Sequence, residues 1–405
     1  NDYDAKGYGR IKNTSWDAES LSAKLGFEPK RGHDLLLSLQ YVKGWKIGSP
    51  GARYSPSLTD YSDKGKLSYA LEYSNNYLKG KVFYVKDEDE WHYPVRRDFT
   101  KKDTKTKGIS LVGNYTLWKG IKFIGGVDYN EIEVSSKRLL GAPYYPNSEY
   151  ETYGVFGEGG LSLLEERLLL NLGARYDYFE DKIKATPGLK VNPRSVDFDR
   201  VTLRGGAVFR LNRALSLKAN LGTGFRAPAP DELAADFVSS WGTRYLGNPD
   251  LKPEKSKTLD LGLELRKSPL KLDFAYFMTD FKDKIISLYD SSLKAMTYKN
   301  VDGAEIQGLE LNFALELGAL FRLPFSLEPY ADLTYHTKFV SKDPKEVSSY
   351  GSTLLYTPKW TGTFGLRGGS ERLLFDLQAV YVGDEKVQDW DQKSPTYGKG
   401  VPFKF

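Results

Sequence analysis

The sequence predicts an all-β protein, an antiparallel transmembrane β-barrel, on three observations. Apolar and polar residues alternate with period two over repeated stretches of about ten residues. The apolar members are mainly leucine, with aromatic residues at the ends of the stretches. Tight turns alternate with long connections. A strand sends successive side chains to opposite faces, so each stretch has one greasy face and one wet face. Long strands with mid-strand charges on the wet face argue against a soluble sandwich or propeller. Aromatics flanking a leucine band suit lipid contact and an interfacial girdle.

The alternation is plain in Leu168, Leu170, Leu172, Ala174, Tyr176 and Tyr178, interleaved with Asn171, Gly173, Arg175 and Asp177. Leu35–Tyr41, Leu67–Tyr73, Leu215–Leu221, Leu259–Leu265, Leu309–Leu315 and Phe375–Tyr381 repeat it. In chain order the pattern predicts sixteen strands. The first five are Trp16–Phe27, Asp34–Lys46, Lys64–Ser74, Leu78–Lys86 and Gly108–Trp118. Ile121–Val134, Thr152–Leu164, Arg167–Asp181, Phe198–Asn212, Ala214–Gly224 and Lys255–Lys267 follow. Leu270–Phe281, Ala304–Leu317, Phe325–Val340, Thr353–Gly368 and Arg372–Gly383 complete the series. Glu165–Glu166, Asn212–Arg213 and Ser268–Pro269 read as short turns on one side of the membrane. Lys46–Lys64, Asp87–Lys107, Ser135–Glu151, Lys182–Val196, Phe225–Glu254 and Lys282–Asp302 read as long loops on the other. A lipid-embedded sheet has to close, and sixteen strands would close as a porin.

Composition narrows the function. At 405 residues the chain has room for one large barrel. It contains no cysteine, which excludes a disulfide framework, thiolate metal sites and cysteine nucleophiles. Net charge is +5 with both signs spread along the chain, which points away from nucleic acid. No run of about 18 apolar residues forms a transmembrane helix, and Asn1–Arg10 is too polar for a signal peptide. The three histidines, His33, His92 and His336, are scattered, and no catalytic constellation, cofactor motif or metal-ligand spacing is present. The acidic run Asp87–Glu90 reads as a solvated loop face rather than a metal cage.

Ligand recognition is expected in the long loops, where aromatics interleave with cations. Candidates are Trp91, His92, Tyr93, Arg96 and Arg97 in one loop, and Tyr144 and Tyr145 in another. Trp241, Arg244 and Tyr245 lie in a third, and Tyr289 and Tyr298 in a fourth. Flat aromatic surface plus charge suits a bulky, partly anionic chelate. Ordinary loop packing and an interfacial girdle fit any one of these residues equally well.

A series of motifs occurs in order. Gly224-Phe225-Arg226-Ala227-Pro228 is followed by Asp231-Glu232-Leu233, and then by Gly247-Asn248-Pro249-Asp250-Leu251-Lys252-Pro253-Glu254. Tyr298-Lys299-Asn300 and Ala304-Glu305-Ile306-Gln307-Gly308-Leu309-Glu310 come next, with Leu355-Tyr356-Thr357-Pro358-Lys359-Trp360 later. This series resembles the barrel of TonB-dependent outer-membrane receptors. The resemblance implies a barrel of roughly 22 strands with a plugged lumen. It also implies a TonB-type energy-coupling protein as partner through the plug, a metal-chelate ligand, an outer-membrane location and no bound cofactor. Against the family pattern, the plug, the coupling box, the first two strands and about four terminal strands are expected to lie outside this sequence. Val401–Phe405 reads as a loop entering a further strand.

On physical grounds the prolines of these motifs end strand pairing, and Gly308 and Glu310 face the lumen. Strand termination and lumen solvation therefore stand beside direct ligand contact as readings of the motif residues. Haem receptors of the family place a histidine between the Phe-Arg-Ala-Pro and Asn-Pro-x-Leu motifs. Ala229–Gly247 contains none, which disfavours haem and leaves ferric siderophore or cobalamin. The opening Asn1-Asp2-Tyr3-Asp4-Ala5 and the modest loops resemble cobalamin receptors. The expected function is import of a scarce metal chelate, with a passive porin as the alternative and a structural or adhesive barrel module as a third, unsupported one.

Overall fold

The computed structural model describes the chain apart from residues 1, 2, 6–8, 53, 54, 119, 240, 241, 390–393, 397, 404 and 405. Sixteen strands form one sheet in which every ladder is antiparallel and every neighbour is also the next long strand in the chain. They are β1 (Asp17–Lys30), β2 (His33–Gly48), β3 (Tyr61–Ser74), β4 (Leu78–Tyr93), β5 (Asp98–Trp118), β6 (Ile121–Arg138), β7 (Ser148–Leu163) and β8 (Leu168–Ile183). The series continues through β9 (Arg194–Arg210), β10 (Leu215–Arg226), β11 (Glu254–Lys267), β12 (Leu270–Lys282), β13 (Ala304–Leu315), β14 (Ser326–Ser341), β15 (Trp360–Gly369) and β16 (Leu374–Val382). All sixteen predicted strands are present. Among the described residues the sheet does not close on itself, because β1 and β16 each pair with one neighbour only. A sixteen-stranded porin is therefore not what the ladder forms.

The apolar face of the sheet is its outer face. Leu172 is 72% exposed, and Leu37, Leu71, Leu111, Val127, Val155, Leu203, Leu217, Leu261, Phe364 and Leu377 are exposed in the same band. In water this would be an unstable surface; in hydrocarbon it is the expected one. Tyrosines edge the band on the side of the long connections. Tyr129 lies 4.9 Å from Tyr153, which lies 6.2 Å from Tyr178, and Tyr335 stacks on Trp360 at 4.1 Å. The opposite face is polar and ion-paired. Arg175 reaches Asp128 at 2.9 Å, Arg204 pairs with Glu158, and Glu328 receives both Arg367 and Lys271.

Several strands outrun their predicted ends. The segment Asp87–Lys107, expected to be a loop, is mostly ladder: β4 continues to Tyr93, a short 3-10 turn covers Pro94–Arg96, and β5 begins at Asp98. Past the tyrosines both faces meet water, so the apolar alternation disappears while backbone pairing continues. At about 3.3 Å per residue, Asn130–Arg138 carries β6 roughly 30 Å beyond Tyr129. Lys282–Asp302 likewise holds a hairpin, Lys284–Asp290 with Ala295–Val301, rather than an irregular loop. In the other direction, β15 begins at Trp360 instead of near Thr353, since Pro358 lacks the amide a ladder needs. Gly400–Phe403, expected to lead into a further strand, pairs back onto Glu385–Gln388.

Leu172→Arg places a charge in the lipid band and is expected to cost about 2–4 kcal/mol. Thr202→Arg, on the luminal face of the neighbouring strand, should cost clearly less. Urea titration of folding into thin-bilayer vesicles measures both.

Candidate functional site: the loop layer and its vestibule

The buried apolar core of the described residues lies in the loops rather than in the barrel. Ile183, Leu233, Ala234, Leu251 and Ile285 form one cluster, with Val191, Phe198 and Tyr298 against it. Leu233 and Ala234 come from α1 (Pro230–Ala234), inside the long β10–β11 connection. That connection also supplies two short strands, Asp236–Val238 and Arg244–Leu246, which join the Lys284–Asp290 and Ala295–Val301 hairpin in one four-stranded sheet. Two loops thus fold as one body over a shared core.

The motif residues fasten this body to the barrel. Arg226 ends β10 and faces Glu254, which begins β11, across the ladder. Its guanidinium donates to Glu254 at 2.8 Å and to both carboxylate oxygens of Glu232 on α1 at 2.9 and 3.1 Å. Glu232 also accepts from the Ala229 amide at 2.7 Å, capping α1, and Glu254 accepts from the Ile285 amide at 2.7 Å. Burial pushes the Glu254 carboxyl up, but the hydrogen bonds from Arg226 and Ile285 outweigh it and hold Glu254 below its ordinary value. Asn248 donates its side-chain amide to the Tyr298 carbonyl at 2.9 Å, while Asn300 accepts from the Lys252 amide and donates to the Lys252 and Asp283 carbonyls.

The remaining motif residues pack. Pro228 is fully buried and Leu251 is in the core, whereas Pro249 is exposed and Ala227 and Pro253 are half-buried. Phe225 meets Phe179 edge-on at 5.2 Å, and a side chain at Gly224 would meet the Ser256 hydroxyl. Gly247 has to be glycine, because a Cβ there would lie 2.3 Å from the Ala234 amide nitrogen. Gly308 is covered by the Phe277 ring, and Glu310 stands exposed on the luminal wall.

Beside this body, inward-facing residues of β4–β6 and the β6–β7 connection form an aromatic and cationic wall. Arg138 is paired with buried Asp98 at 2.8 Å, donates to the Val238 carbonyl at 3.1 Å and lies 4.7 Å from the Tyr144 ring. Tyr144 meets Phe237 edge-on at 5.0 Å, and Phe237 stacks on Tyr245 at 5.0 Å. Lys102 sits 4.4 Å from the Tyr145 ring, and Lys64 sits 5.4 Å from Trp91. Burial raises Tyr93, with Tyr144 and Arg138 near it, and raises Tyr145, with Asp231 and Asp89 near it. Burial also pushes Tyr298 up to about 12, with Asp231, Glu232, Tyr245 and Tyr145 around it. Neutral phenols, π faces and two cations can hold a flat, partly anionic solute by stacking and hydrogen bonding.

The structure therefore brings together Tyr93, Tyr144, Tyr145, Tyr245 and Tyr298, with Trp91 lower on the same wall. The other predicted residues lie elsewhere. His92 is on the outer face of β4, stacked on Tyr61 at 4.5 Å and within 3.5 Å of Glu90 and Asp63. Trp91, His92 and Tyr93 are strand residues, not loop residues. Arg96 and Arg97 are exposed at the β4–β5 turn, with Arg96 5.7 Å over Tyr93. Arg244 is exposed and paired with Asp236 at 3.0 Å, Tyr289 is 60% exposed on the hairpin, and Trp241 lies outside the described residues. Sequence reasoning missed Lys102, Arg138 and Phe237. The first two sit in stretches where charge masks the strand period, and Phe237 carries no motif.

Residues 1–400 match the family model described as TonB dependent receptor-like, beta-barrel. The chain belongs to that family, a class of outer-membrane receptors and transporters, and its location is the outer membrane. It is similar to the Vitamin B12 transporter BtuB of Vibrio vulnificus (strain YJ016), at 28% identity over 361 residues, covering 88% of this chain and 51% of that protein. It is also similar to the Heme/hemopexin utilization protein C of Haemophilus influenzae (strain 86-028NP), at 25% identity over 281 residues, covering 60% and 38%. Among solved structures it superimposes on the FrpB iron transporter from Neisseria meningitidis (F5-1 variant) with a TM-score of 0.74 and 14% identity, covering 100% of this chain and 67% of that one. The chain thus spans about half, or less, of the length of these two curated relatives.

Arg226→Ala is expected to weaken the attachment of the loop body by about 1–3 kcal/mol. Hydrogen exchange at the Ile285 amide would read this as faster local opening. Because Glu254 is held low, its contribution is full above about pH 4.3 and is lost as pH falls through its depressed value. The same amide should therefore lose protection in acid in the wild type, and far less so in the Arg226→Ala variant.

Proposed function

We propose that this chain is the barrel of an outer-membrane receptor that binds a scarce metal chelate, a ferric siderophore or cobalamin, and imports it with energy from a TonB-type coupling protein acting on a plug. Residues 1–405 would form one transmembrane domain of that receptor. The observation carrying the reading is the wall of Tyr93, Tyr144, Tyr145, Tyr245 and Tyr298 with Lys102 and Arg138, set over a polar lumen. It offers stacking and charge to a bulky chelate while the loop body supplies a second side. Relatives named as a vitamin B12 transporter and a heme/hemopexin utilization protein support a chelated metal as the cargo class. The lumen supports a plug contact, since Arg175, Arg204, Glu158 and Asp128 present polar groups that a globular filling can engage. A passive channel is not favoured, because a fastened loop body over the lumen mouth serves no purpose in free diffusion.

Titration of the whole receptor with ferric siderophores and with cobalamin is expected to give saturable, nanomolar binding to one class. Tyr145→Ala should weaken that binding by about 1–2 kcal/mol through loss of its contact and of the partner of Lys102. High constitutive conductance in planar bilayers, with no chelate bound, would sink the reading in favour of a channel.

A further inference from the structure

Beneath α1 the loop layer encloses polar atoms that nothing satisfies. Asp181 is fully buried, and among the described residues neither of its carboxylate oxygens has a hydrogen-bond partner. The Ser148 hydroxyl is fully buried and likewise unpartnered. Arg194 donates from Nη2 to the Leu233 carbonyl at 2.5 Å, but its Nε is buried without an acceptor. These residues share one face of three adjacent strands. Ser148 of β7 lies opposite Ile183 of β8, which lies opposite Arg194 of β9, and Asp181 is on the same side as Ile183. Asp181 stands three residues past Tyr178, about 10 Å beyond the tyrosine edge, so it belongs to the loop layer and not to the lipid band.

The surroundings of Asp181 leave its charge poorly compensated. On β7 it faces the Tyr150 phenol across the ladder, and on β9 it faces Val196. α1 packs onto β8 from above and brings a second acid, Asp231, while Asp177 lies further down the same strand. Arg194 is the cation set against them. Burial pushes the Asp181 carboxyl up to about 7 against the pull of Arg194, and Asp231 adds to the rise. Burial raises Tyr150 as well, with Asp181 and Asp177 beside it, and raises Asp231, with Glu232 and Lys102 near it. A buried carboxylate without hydrogen bonds is costly, and the uncharged acid is far less so. Glu254 and Asp98 differ in kind, since a guanidinium holds each of them.

We propose that Asp181 is a proton-operated latch for the loop body: as the uncharged acid it lets α1 seat on the strand ends, and as the carboxylate it drives α1 off them and draws water into the seam. Tyr245 and Tyr298 are carried by the same body, so their place in the aromatic wall follows the state of the latch. The inference does not depend on which solute is carried. The sign follows from linkage. The value in the closed body lies above the ordinary 3.8, so closure takes up a proton. Its contribution is full below about pH 4 and is lost as pH rises to about 7. Glu254 acts in the opposite sense, because its contribution is lost in acid. The two together make the loop body tightest in mild acid and looser at neutral pH and above.

The test follows amide hydrogen exchange of the whole receptor in detergent, at constant ionic strength, from about pH 5 to about pH 8. Each rate is divided by that of an unstructured peptide at the same pH. The Ala235 amide, which donates to the Asp231 carbonyl in α1, is the reporter. Its protection is expected to fall by about tenfold per pH unit up to neutrality and then to level off. Asp181→Asn keeps the shape and removes the titration, so α1 should hold its acid-side protection throughout. Asp231→Asn removes the neighbouring acid and should move the midpoint to lower pH. Infrared difference spectra over the same range should show a protonated-carboxyl band that Asp181→Asn removes. A flat wild-type profile overturns the proposal, as does a slope that survives in Asp181→Asn. Lost protection in Asp181→Asn at every pH would show that the charge itself holds α1, which also overturns it. Should Asp181→Asn fail to fold, the Asp231→Asn midpoint decides, and the absence of a downward shift sinks the latch.

Discussion

Hydrocarbon offers no hydrogen-bond partner, so every backbone amide and carbonyl that crosses it has to find one within the protein. That constraint accounts for the plainness of the sheet. Each of the sixteen strands pairs with its chain neighbour, all are antiparallel, and no crossover interrupts the order. With the backbone satisfied locally, the side chains are free to sort by solvent: leucine outward into lipid, ion pairs such as Arg175–Asp128 inward. The packing core that a soluble protein of this length would need is absent from the barrel wall, because lipid takes its place.

Past the tyrosines the solvent changes and so does the logic. Water drives apolar residues together again, and the loop connections build the cluster of Ile183, Leu233, Leu251 and Ile285. A cluster built on two loops has to be anchored to strand ends. Arg226 does this with one guanidinium shared between Glu254 on the next strand and Glu232 on α1. Asn248 and Asn300 complete the fastening through backbone carbonyls. These are the conspicuous residues of the sequence motifs, and their contacts are to one another. The groups on the aromatic wall are mostly unremarkable tyrosines whose positions depend on where the loop body holds them.

This division explains what the sequence revealed. Within the bilayer the alternation of Leu168–Tyr178 or Leu259–Leu265 has one meaning, and all sixteen strands could be read from it. Beyond the bilayer the two faces of a strand are equally wet, and Asp87–Glu90 looks like a loop although it is ladder. His92 was placed among ligand candidates for the same reason; its outward face follows only once β4 is known to continue to Tyr93. Lys102 and Arg138 were hidden by the charges around them, since their distinction is the aromatic ring each one meets, contributed by a different element. The Arg226–Glu254 pair could have been anticipated from motifs bracketing one connection, but the third member, Glu232, depends on how α1 folds back.

Placing the apolar core outside the membrane separates the protein into two thermodynamic regimes. Once inserted, the barrel wall faces lipid rather than water, so loosening it within the bilayer exposes little apolar surface to water and carries little of the heat-capacity signature of hydrophobic burial. The loop body carries that signature almost alone. Denaturants and temperature, which act through water, therefore address the loops before the wall, and the two should melt as distinct units. An outer surface made in this way can loosen and re-form while the strands in the bilayer stay paired.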